Sequence, residues 1–270
     1  NPHTKPTVFW EWLIRRVHVD HPDVIFLSEA FTRPKVMHAL AKAGFAQSYT
    51  YYTWRTARWE IEQYLRELTS VDVSQYMRGN LFTNTHDINP YHLQAGGIPM
   101  FKSRFVMAAT MSSVYGIYSG FELGEATPVP GKEEYLNSEK YEYKVWDWDR
   151  PGNIKYLIET VNRTRREHPA LQEYDNLRFH SADDQRLLTY SKVDADADDR
   201  ILCLVSLDPV NPLNTWIHLD LAELGLVDGL PYHVTELISG NTWIWTGGHQ
   251  SVQIDPAIEP VWVLSLSTTT

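Results

Sequence analysis

Cysteine is almost absent from this sequence. Cys203 is the only one in 270 residues, so no disulfide can form within the chain. It lies in the apolar string ILCLVSL, where we expect a buried, unreactive thiol. Apolar runs of the roughly 18–20 residues that cross a bilayer are lacking, and so is the basic-then-apolar order of a signal peptide near Asn1. We therefore predict a cytoplasmic location with no membrane partner.

Positive charge is also scarce. Lysine and arginine number 24 against 34 aspartates and glutamates, which gives a formal net charge of −10. Proteins that bind nucleic acids usually display a basic face, so this balance argues against a nucleic-acid partner. A neutral substrate meets no such electrostatic penalty.

Aromatic residues, by contrast, are abundant. The chain has 10 Trp, 15 Tyr and 9 Phe, many of them beside Asp, Asn or His. Aromatic faces can cover the C–H surfaces of a sugar ring while polar neighbours bond to its hydroxyls, so this composition suits carbohydrate binding. The alternative is that most of these rings fill the large core that a 43% hydrophobic chain of this length can bury.

Helical and strand-like segments alternate as far as residue 169. Apolar strands between amphipathic helices indicate a parallel sheet covered by helices. Four such units are half of an eightfold barrel, and the first element is a helix, so we expect a strand before Asn1. We predict an α/β fold in which residues 1–169 form the C-terminal half of a (β/α)8 TIM barrel, with the first half outside this sequence. The predicted strands are DVIFLSEAF, FAQSYTYY, NLFTNTHD and IYSGFEL.

Local signals predict where the helices begin and end. Pro6 is placed to start the first helix, and Gly44 to stop the second. Thr53 is available to cap the third helix, TWRTARWEIEQYLRELTS, which is the most clearly amphipathic in the chain. Two further helices are predicted in MFKSRFVMAATMSSVYG and GNIKYLIETVNRTRREHP.

Residues 170–270 show a different pattern, which predicts an all-β sandwich domain. Short strand-like segments are separated by Gly, Asn, Asp and Pro turns. The acidic string DADADD, residues 194–199, is interpreted as a solvated hairpin turn, because it lacks the glycine and distal glutamate of a metal-binding loop. The eight predicted strands are LRFHSA, RLLTYSKV, RILCLVSL, NTWIHLDL, YHVTELIS, NTWIWTG, QSVQID and PVWVLSLS.

Two predicted strands end in carboxylates. Glu29 ends the first strand and Asp87 the third, with His86 beside it. In parallel barrels the carboxyl ends of the strands meet at the catalytic rim, so these groups can face one pocket. Cleavage of a sugar acetal needs such a pair, one group to protonate the leaving oxygen and a negative charge near the oxocarbenium-like transition state. Alternatively, Glu29 caps a helix or pairs with Arg33.

Longer strings resemble a known family. FLSEAF and FTNTHD are similar to the acid/base region and the later His-Asp region of family 13 glycoside hydrolases, the α-amylase superfamily. Almost the whole chain resembles one branch of it, the bacterial α-1,4-glucan:maltose-1-phosphate maltosyltransferases. The strings that carry this closer resemblance are NPHTKP, FWEWLI, FLSEAFTRPKVMHALAKAGF, QSYTYYTWR, YGIYSGFEL and GKEEYLNSEKYE.

The resemblance implies a retaining transfer of maltosyl units from α-maltose 1-phosphate to an α-1,4-glucan, without metal or cofactor, in a homodimer. Glu29 matches the acid/base, Asp87 the transition-state stabiliser and His86 its sugar-binding neighbour. The nucleophilic aspartate is expected immediately before Asn1, in the part of the protein outside this sequence. The other matched positions bind substrate: Asn1 near the phosphate, Lys140 and Tyr141 at the donor sugar, and His3 towards the acceptor.

Two rival functions remain open at this point, a glucan hydrolase of the same superfamily and an inactive glucan-binding relative. Transferase and hydrolase share their chemistry and differ in whether a sugar hydroxyl or water meets the covalent intermediate. The Tyr- and Trp-rich segment 121–150 is a candidate for the cover that excludes water. Its alternative is a loop that packs only against the β domain.

Overall fold

The computed structural model describes residues 1–196 and 198–268. Its first part is a sheet of four short parallel strands in the order β1-β2-β3-β4. This confirms the predicted parallel α/β portion. The strands are β1 (Leu27–Ser28), β2 (Gln47–Tyr49), β3 (Gly79–Phe82) and β4 (Tyr115–Gly116). The helices are α1 (Thr7–Asp20), α2 (Pro34–Lys42), α3 (Arg58–Leu68), α4 (Val71–Ser74), α5 (Tyr91–Met111) and α6 (Lys155–Glu167).

Strand β1 differs from its prediction. The apolar run was expected to be a continuous buried strand, yet Ile25 is 65% exposed and Leu27 54% exposed. The physical reason is that β1 lies at the edge of the sheet and, within the described residues, pairs only with β2. Side chains on its outer side therefore have no neighbouring strand to cover them.

The fourth strand was also misplaced. We predicted it in IYSGFEL, residues 117–123, but β4 comes earlier, and Phe121–Leu123 is a 3-10 helix. Pairing with β3 decides the position, because Leu81 N donates to Val114 O and Thr83 N donates to Gly116 O, both at 3.1 Å. The helix predicted in MFKSRFVMAATMSSVYG is the end of α5, which stops at Met111 and does not continue to residue 116.

Helix starts and stops follow local chemistry with one exception. Pro6 is the N-cap of α1, and Gly44, with φ of +112°, follows α2, as predicted. The proposed cap of α3 was wrong. Thr53 lies in a 3-10 turn, where its hydroxyl donates to Phe82 O at 2.9 Å, and α3 starts after Ala57. The carboxylate of Glu60 accepts from the Ala57 N–H at 3.1 Å and so satisfies this helix end.

The second part of the chain is an antiparallel β domain, as predicted, and each of the eight predicted segments contains one strand. The strand order is β10-β9-β12-β7-β6-β5-β8-β11, and every pairing is antiparallel. The strands are β5 (Leu177–Ala182), β6 (Leu187–Val193), β7 (Arg200–Ser206), β8 (Leu213–His218), β9 (Pro231–Glu236), β10 (Thr242–Thr246), β11 (His249–Ile254) and β12 (Val261–Thr268).

The acidic string lies between β6 and β7, which are hairpin partners as predicted. Ala197 lies outside the described residues. In the remainder, the Asp194 carboxylate accepts hydrogen bonds from the N–H groups of Asp198 and Asp199, both at 2.9 Å. Asp199 is not a solvated turn residue, because its carboxylate bonds to the His168 ring at 2.7 Å.

One hydrophobic core joins the two parts of the fold. It contains Phe105 of α5 and Cys203 of β7, both almost fully buried. Thr110 on α5 shares a 2.6 Å hydrogen bond with the Tyr190 hydroxyl on β6. Cys203 is buried as expected, and burial raises the pKa of its thiol to about 12.

The boundary at residues 169 and 170 remains a prediction. No helix among the described residues has the length and apolarity to cross a membrane.

Candidate active site

The carboxyl end of β1 places Glu29 at the rim of the parallel sheet. Ser28, the last residue of β1, is buried, whereas the Glu29 side chain directly after it is 39% exposed. The pKa of Tyr49, at the end of β2, is raised by burial and then by the negative charge of Glu29. The Glu29 backbone thus follows a buried serine at the strand end, while its side chain is partly open to the rim.

A buried polar turn after β3 presents His86 and Asp87. The backbones of Thr85 and Ile88 exchange hydrogen bonds at 3.1 and 3.2 Å, and the Thr85 hydroxyl accepts from the Asp87 N–H at 3.2 Å. Asn84 holds the turn in place, because it is fully buried and its amide donates to the Tyr135 hydroxyl at 2.6 Å. The turn aims His86 and Asp87 outward, and their side chains are 41% and 45% exposed.

The two strand ends bring three predicted site residues together. His86 Nε2 lies 3.2 Å from Asp87 Oδ2 and 4.0 Å from Glu29 Oε1. One polar atom from each of the three residues lies within 4.8 Å of the others. A cluster this small can surround a single sugar carbon. The same donor set has a geometry that can also chelate a cation, although acid/base chemistry at a sugar requires none.

Lys140 reaches this cluster from the segment that follows β4. Its ammonium forms an ion pair and hydrogen bond with Asp87 Oδ1. The hydrogen bond to Asp87 is the main reason that the pKa of Lys140 is raised. The backbone N–H of Lys140 donates to the Ser138 hydroxyl at 3.3 Å, and its ammonium lies 5.4 Å from the centre of the Tyr141 ring. Lys140 thereby balances the charge of Asp87 at the rim.

A cavity of about 370 Å³ adjoins the cluster on the Asp87 side. Its lining includes four of the residues predicted from the sequence and three that were missed, and segment 121–150 supplies one wall. That segment therefore lies beside the rim and does not pack only against the β domain, although it leaves Asp87 45% exposed. The lining residues are His86, Asp87, Glu134, Tyr135, Ser138, Lys140 and Tyr141. A larger cavity of about 570 Å³, beside α1 and the end of α2, contains none of the predicted site residues.

Among the described residues, no hydrogen bond or ion pair links Asn1 or His3 to the cluster. Asn1 is exposed, and its carbonyl accepts local hydrogen bonds from Thr4 at 2.9 and 3.2 Å. His3 lies in a 3-10 turn, and its buried Nδ1 has no hydrogen-bond partner there. Their substrate-binding roles stay predictions.

The alternative explanations for Glu29 find no support within the described residues. Arg33 is exposed and forms no ion pair with Glu29, whereas His86 Nε2 lies 4.0 Å from Glu29 Oε1. Helix α2, which begins after Arg33, has no side-chain cap. The Glu29 carboxylate is therefore available to a ligand bound at the rim.

Glu133 is a structural residue of the site that sequence reasoning missed. Its carboxylate accepts from the Trp54 indole N–H and the Tyr91 N–H, both at 3.1 Å, and its carbonyl accepts from the Asn89 N–H at 2.9 Å. It ties segment 121–150 to the loops after β2 and β3. The signal for Glu133 in the sequence was weak. It lies in the string GKEEYLNSEK, which carries part of the family resemblance, but the resemblance assigns it no role.

The fold of the chain is that of α-amylase-type barrel proteins. The chain superposes on the α-amylase of Geobacillus thermoleovorans in its acarbose complex with a TM-score of 0.75, covering 98% of this chain and 58% of that one at 14% identity. It also superposes on the γ-CGTase of Bacillus clarkii with a TM-score of 0.68, covering 96% and 38% at 14% identity. Identities this low show the fold alone, and they confirm a partial (β/α)8 barrel followed by a β domain.

Sequence comparison gives the family. The chain is 52% identical over 267 residues to the α-1,4-glucan:maltose-1-phosphate maltosyltransferase of Rhodospirillum rubrum, and 52% identical over 256 residues to that of Myxococcus xanthus. Residues 179–266 match the family model described as "GLGE, C-terminal". The resemblance is confirmed, and the chain corresponds to the C-terminal portion of proteins in this maltosyltransferase family.

The alignments cover nearly all of this chain but less than half of each relative. It covers 99% and 95% of this chain but 39% and 38% of these two relatives. The chain thus spans about two-fifths of the length of the curated relatives that it matches.

Proposed function

We propose that the protein containing this chain transfers maltosyl units from α-maltose 1-phosphate to the 4-hydroxyl of an α-1,4-glucan, with net retention. The observation that carries the proposal is the approach of Glu29, His86 and Asp87 to within 4.8 Å at the rim of the sheet. The named activity of relatives at 52% identity supports the choice of donor and acceptor.

In the first step, a carboxylate nucleophile attacks C1 of the donor. The bond from C1 to the phosphate oxygen breaks, its electron pair leaves with phosphate, and Glu29 gives that oxygen a proton. The nucleophile is expected immediately before Asn1. The carboxylate of Asp87 stabilises the positive charge of the oxocarbenium-like transition state.

In the second step, the acceptor hydroxyl attacks C1 of the covalent maltosyl ester. Glu29 now takes the hydroxyl proton, and the bond between C1 and the enzyme carboxylate breaks, which restores the nucleophile. Transfer over hydrolysis requires that a bound acceptor exclude water from the maltosyl ester. We propose that segment 121–150, which lines the cavity on the Asp87 side, contacts that acceptor.

The donor phosphate needs cationic or N–H partners, and Lys140 is the cation nearest the cluster. We propose that Lys140 and Tyr141 contact the donor, that Asn1 binds near its phosphate, and that His3 faces the acceptor. We also propose that the complete protein is a homodimer and is located in the cytoplasm.

The test uses the complete protein with α-maltose 1-phosphate and a maltooligosaccharide. Phosphate release should match the lengthening of the glucan by two glucose units per event. Glu29→Gln should remove both, whereas Glu167→Gln, which changes an exposed carboxylate on α6, should change neither. Free maltose without glucan growth would refute the transferase assignment in favour of a hydrolase.

A further inference from the structure

A pair of histidines lies on the outer surface of the β domain. His218 ends β8 and His249 begins β11, and the two are directly opposite each other in the antiparallel register. Their Nδ1 atoms are 2.7 Å apart, and their ring centres are 4.9 Å apart. Both side chains are accessible, His218 to 33%. Neither histidine takes part in the chemistry at the rim of the barrel.

The backbone holds this pair in register. Leu219 N donates to Gly248 O at 2.7 Å, which makes these two residues a hydrogen-bonded pair. The adjacent pair, His218 and His249, is therefore of the non-hydrogen-bonded kind, in which side chains lie closest. Gly248 is required for this approach, because a Cβ there would lie 2.4 Å from Leu219 O. The two rings are therefore brought together by the sheet and do not depend on a flexible loop.

A carboxylate orients one of the two rings. Asp183, directly after β5, has Oδ1 at 2.7 Å from His218 Nε2. The carboxylate accepts a hydrogen bond from the Nε2–H group, so Nδ1, which faces His249, is the ring nitrogen available to bind an ion. A carboxylate that fixes the far nitrogen of a histidine in this way is the usual support of a metal-binding imidazole.

We propose that His218 and His249 form a binding site for a divalent transition-metal ion such as Zn²⁺ or Cu²⁺, oriented by Asp183 and completed by water. Two zinc–nitrogen bonds of about 2.0–2.1 Å at a tetrahedral angle require nitrogens roughly 3.3 Å apart. The present Nδ1 separation is 2.7 Å, so a small rotation of the rings admits the ion. Because β11 ends the strand order, a bound ion would fasten an edge strand to its one neighbour, β8.

The test measures Zn²⁺ binding to the complete protein by calorimetry and Cu²⁺ coordination by electron paramagnetic resonance. We expect one equivalent of Cu²⁺ with signals from two imidazole nitrogens. His218→Ala and His249→Ala should each raise the Kd for Zn²⁺ at least tenfold, and Asp183→Asn should raise it about 10- to 100-fold. His233→Ala, an exposed histidine on β9, is the matched control and should leave the Kd unchanged.

The rim cluster of Glu29, His86 and Asp87 is a competing ligand set, so His86→Ala is measured in parallel. Binding that disappears in His86→Ala and persists in both His218→Ala and His249→Ala would overturn the proposal. So would bound Cu²⁺ with no histidine nitrogen. A Kd unchanged by Asp183→Asn alone would overturn the orienting role of that carboxylate. Circular dichroism confirms that each variant is folded.

Discussion

Lys192 is a buried cation whose replacement should make the protein more stable at neutral pH. It lies on β6, only 1% exposed, and its ammonium donates to the Glu173 carbonyl at 2.5 Å. Burial and then the positive charge of Arg165 lower the pKa of Lys192 from 10.5 to about 7. The folded state therefore disfavours the charged form, which the unfolded chain keeps up to a pH near 10.5.

The magnitude follows from linkage. Below pH 7 the side chain is protonated in both states, and a shift of this size costs about 5 kcal/mol of stability at 1.36 kcal/mol per pKa unit. Between the folded and unfolded pKa values, the unfolded state binds more protons, so stability rises with pH and the cost vanishes near pH 10.5. Lys192→Met removes this cost and loses one hydrogen bond worth about 1 kcal/mol.

We therefore expect Lys192→Met to raise the free energy of unfolding by about 3–4 kcal/mol at pH 7. At pH 10.5 the gain should be gone, and the variant should be less stable than the parent by up to about 1 kcal/mol, because only the lost hydrogen bond remains. Urea unfolding of the variant and the parent protein at matched pH values isolates this residue from the others that titrate. Lys35→Met, an exposed lysine on α2, is the control and should show no such trend. A difference independent of pH, or a destabilised variant at pH 7, would refute the reasoning.

Three further predictions concern the site and its surroundings. Lys140→Met should raise the KM for maltose 1-phosphate at least tenfold in steady-state kinetics and leave the unfolding midpoint unchanged, because the ion pair with Asp87 is exposed. Tyr135→Phe leaves the buried amide of Asn84 without its acceptor and should destabilise the protein by about 1–3 kcal/mol in urea; an unchanged midpoint would contradict this. Burial lowers the pKa of His180 to about 4. The free energy of unfolding should therefore fall by up to about 3 kcal/mol as the pH drops from 6.5 to 4, because the unfolded chain binds a proton that the folded state resists. Acid unfolding followed by circular dichroism should not show this loss in His180→Gln.

The β domain was the most predictable part of the molecule. Each of its strands carries its own pattern, as in β8, where buried and exposed residues alternate from Leu213 to Thr215 and onward. Turns rich in Gly, Asn and Asp mark where each strand ends. Local sequence therefore contained nearly all the information needed to place these strands.

The barrel strands were harder, because their limits are set by non-local pairing. Only two residues of the apolar run around Leu27 form a ladder, since β1 has a partner on one side. Gly116 belongs to β4 because it pairs with Phe82, a residue more than thirty positions away, and no local signal near Gly116 reports that. Propensity and periodicity cannot locate such a boundary.

The site was predictable where strand ends marked it. Glu29 and Asp87 could be placed at one rim from topology alone, and His86 came with its neighbour. Tyr135 and Ser138 were missed because they come from a segment without helical or strand periodicity, whose path depends on contacts such as that of Asn84 with Tyr135. Long-range hydrogen bonds of this kind leave no pattern in the sequence.

The central claim is that Glu29 transfers protons while Asp87 stabilises charge at the same sugar carbon. Azide distinguishes these functions, because it attacks the maltosyl ester without needing a base. In the complete protein, with a dinitrophenyl α-maltoside donor whose leaving group needs no protonation, azide should rescue Glu29→Gln and yield α-maltosyl azide, and it should not rescue Asp87→Asn. Equal rescue of both variants, or a Glu29→Gln protein that turns over maltose 1-phosphate at the parent rate, would contradict the account.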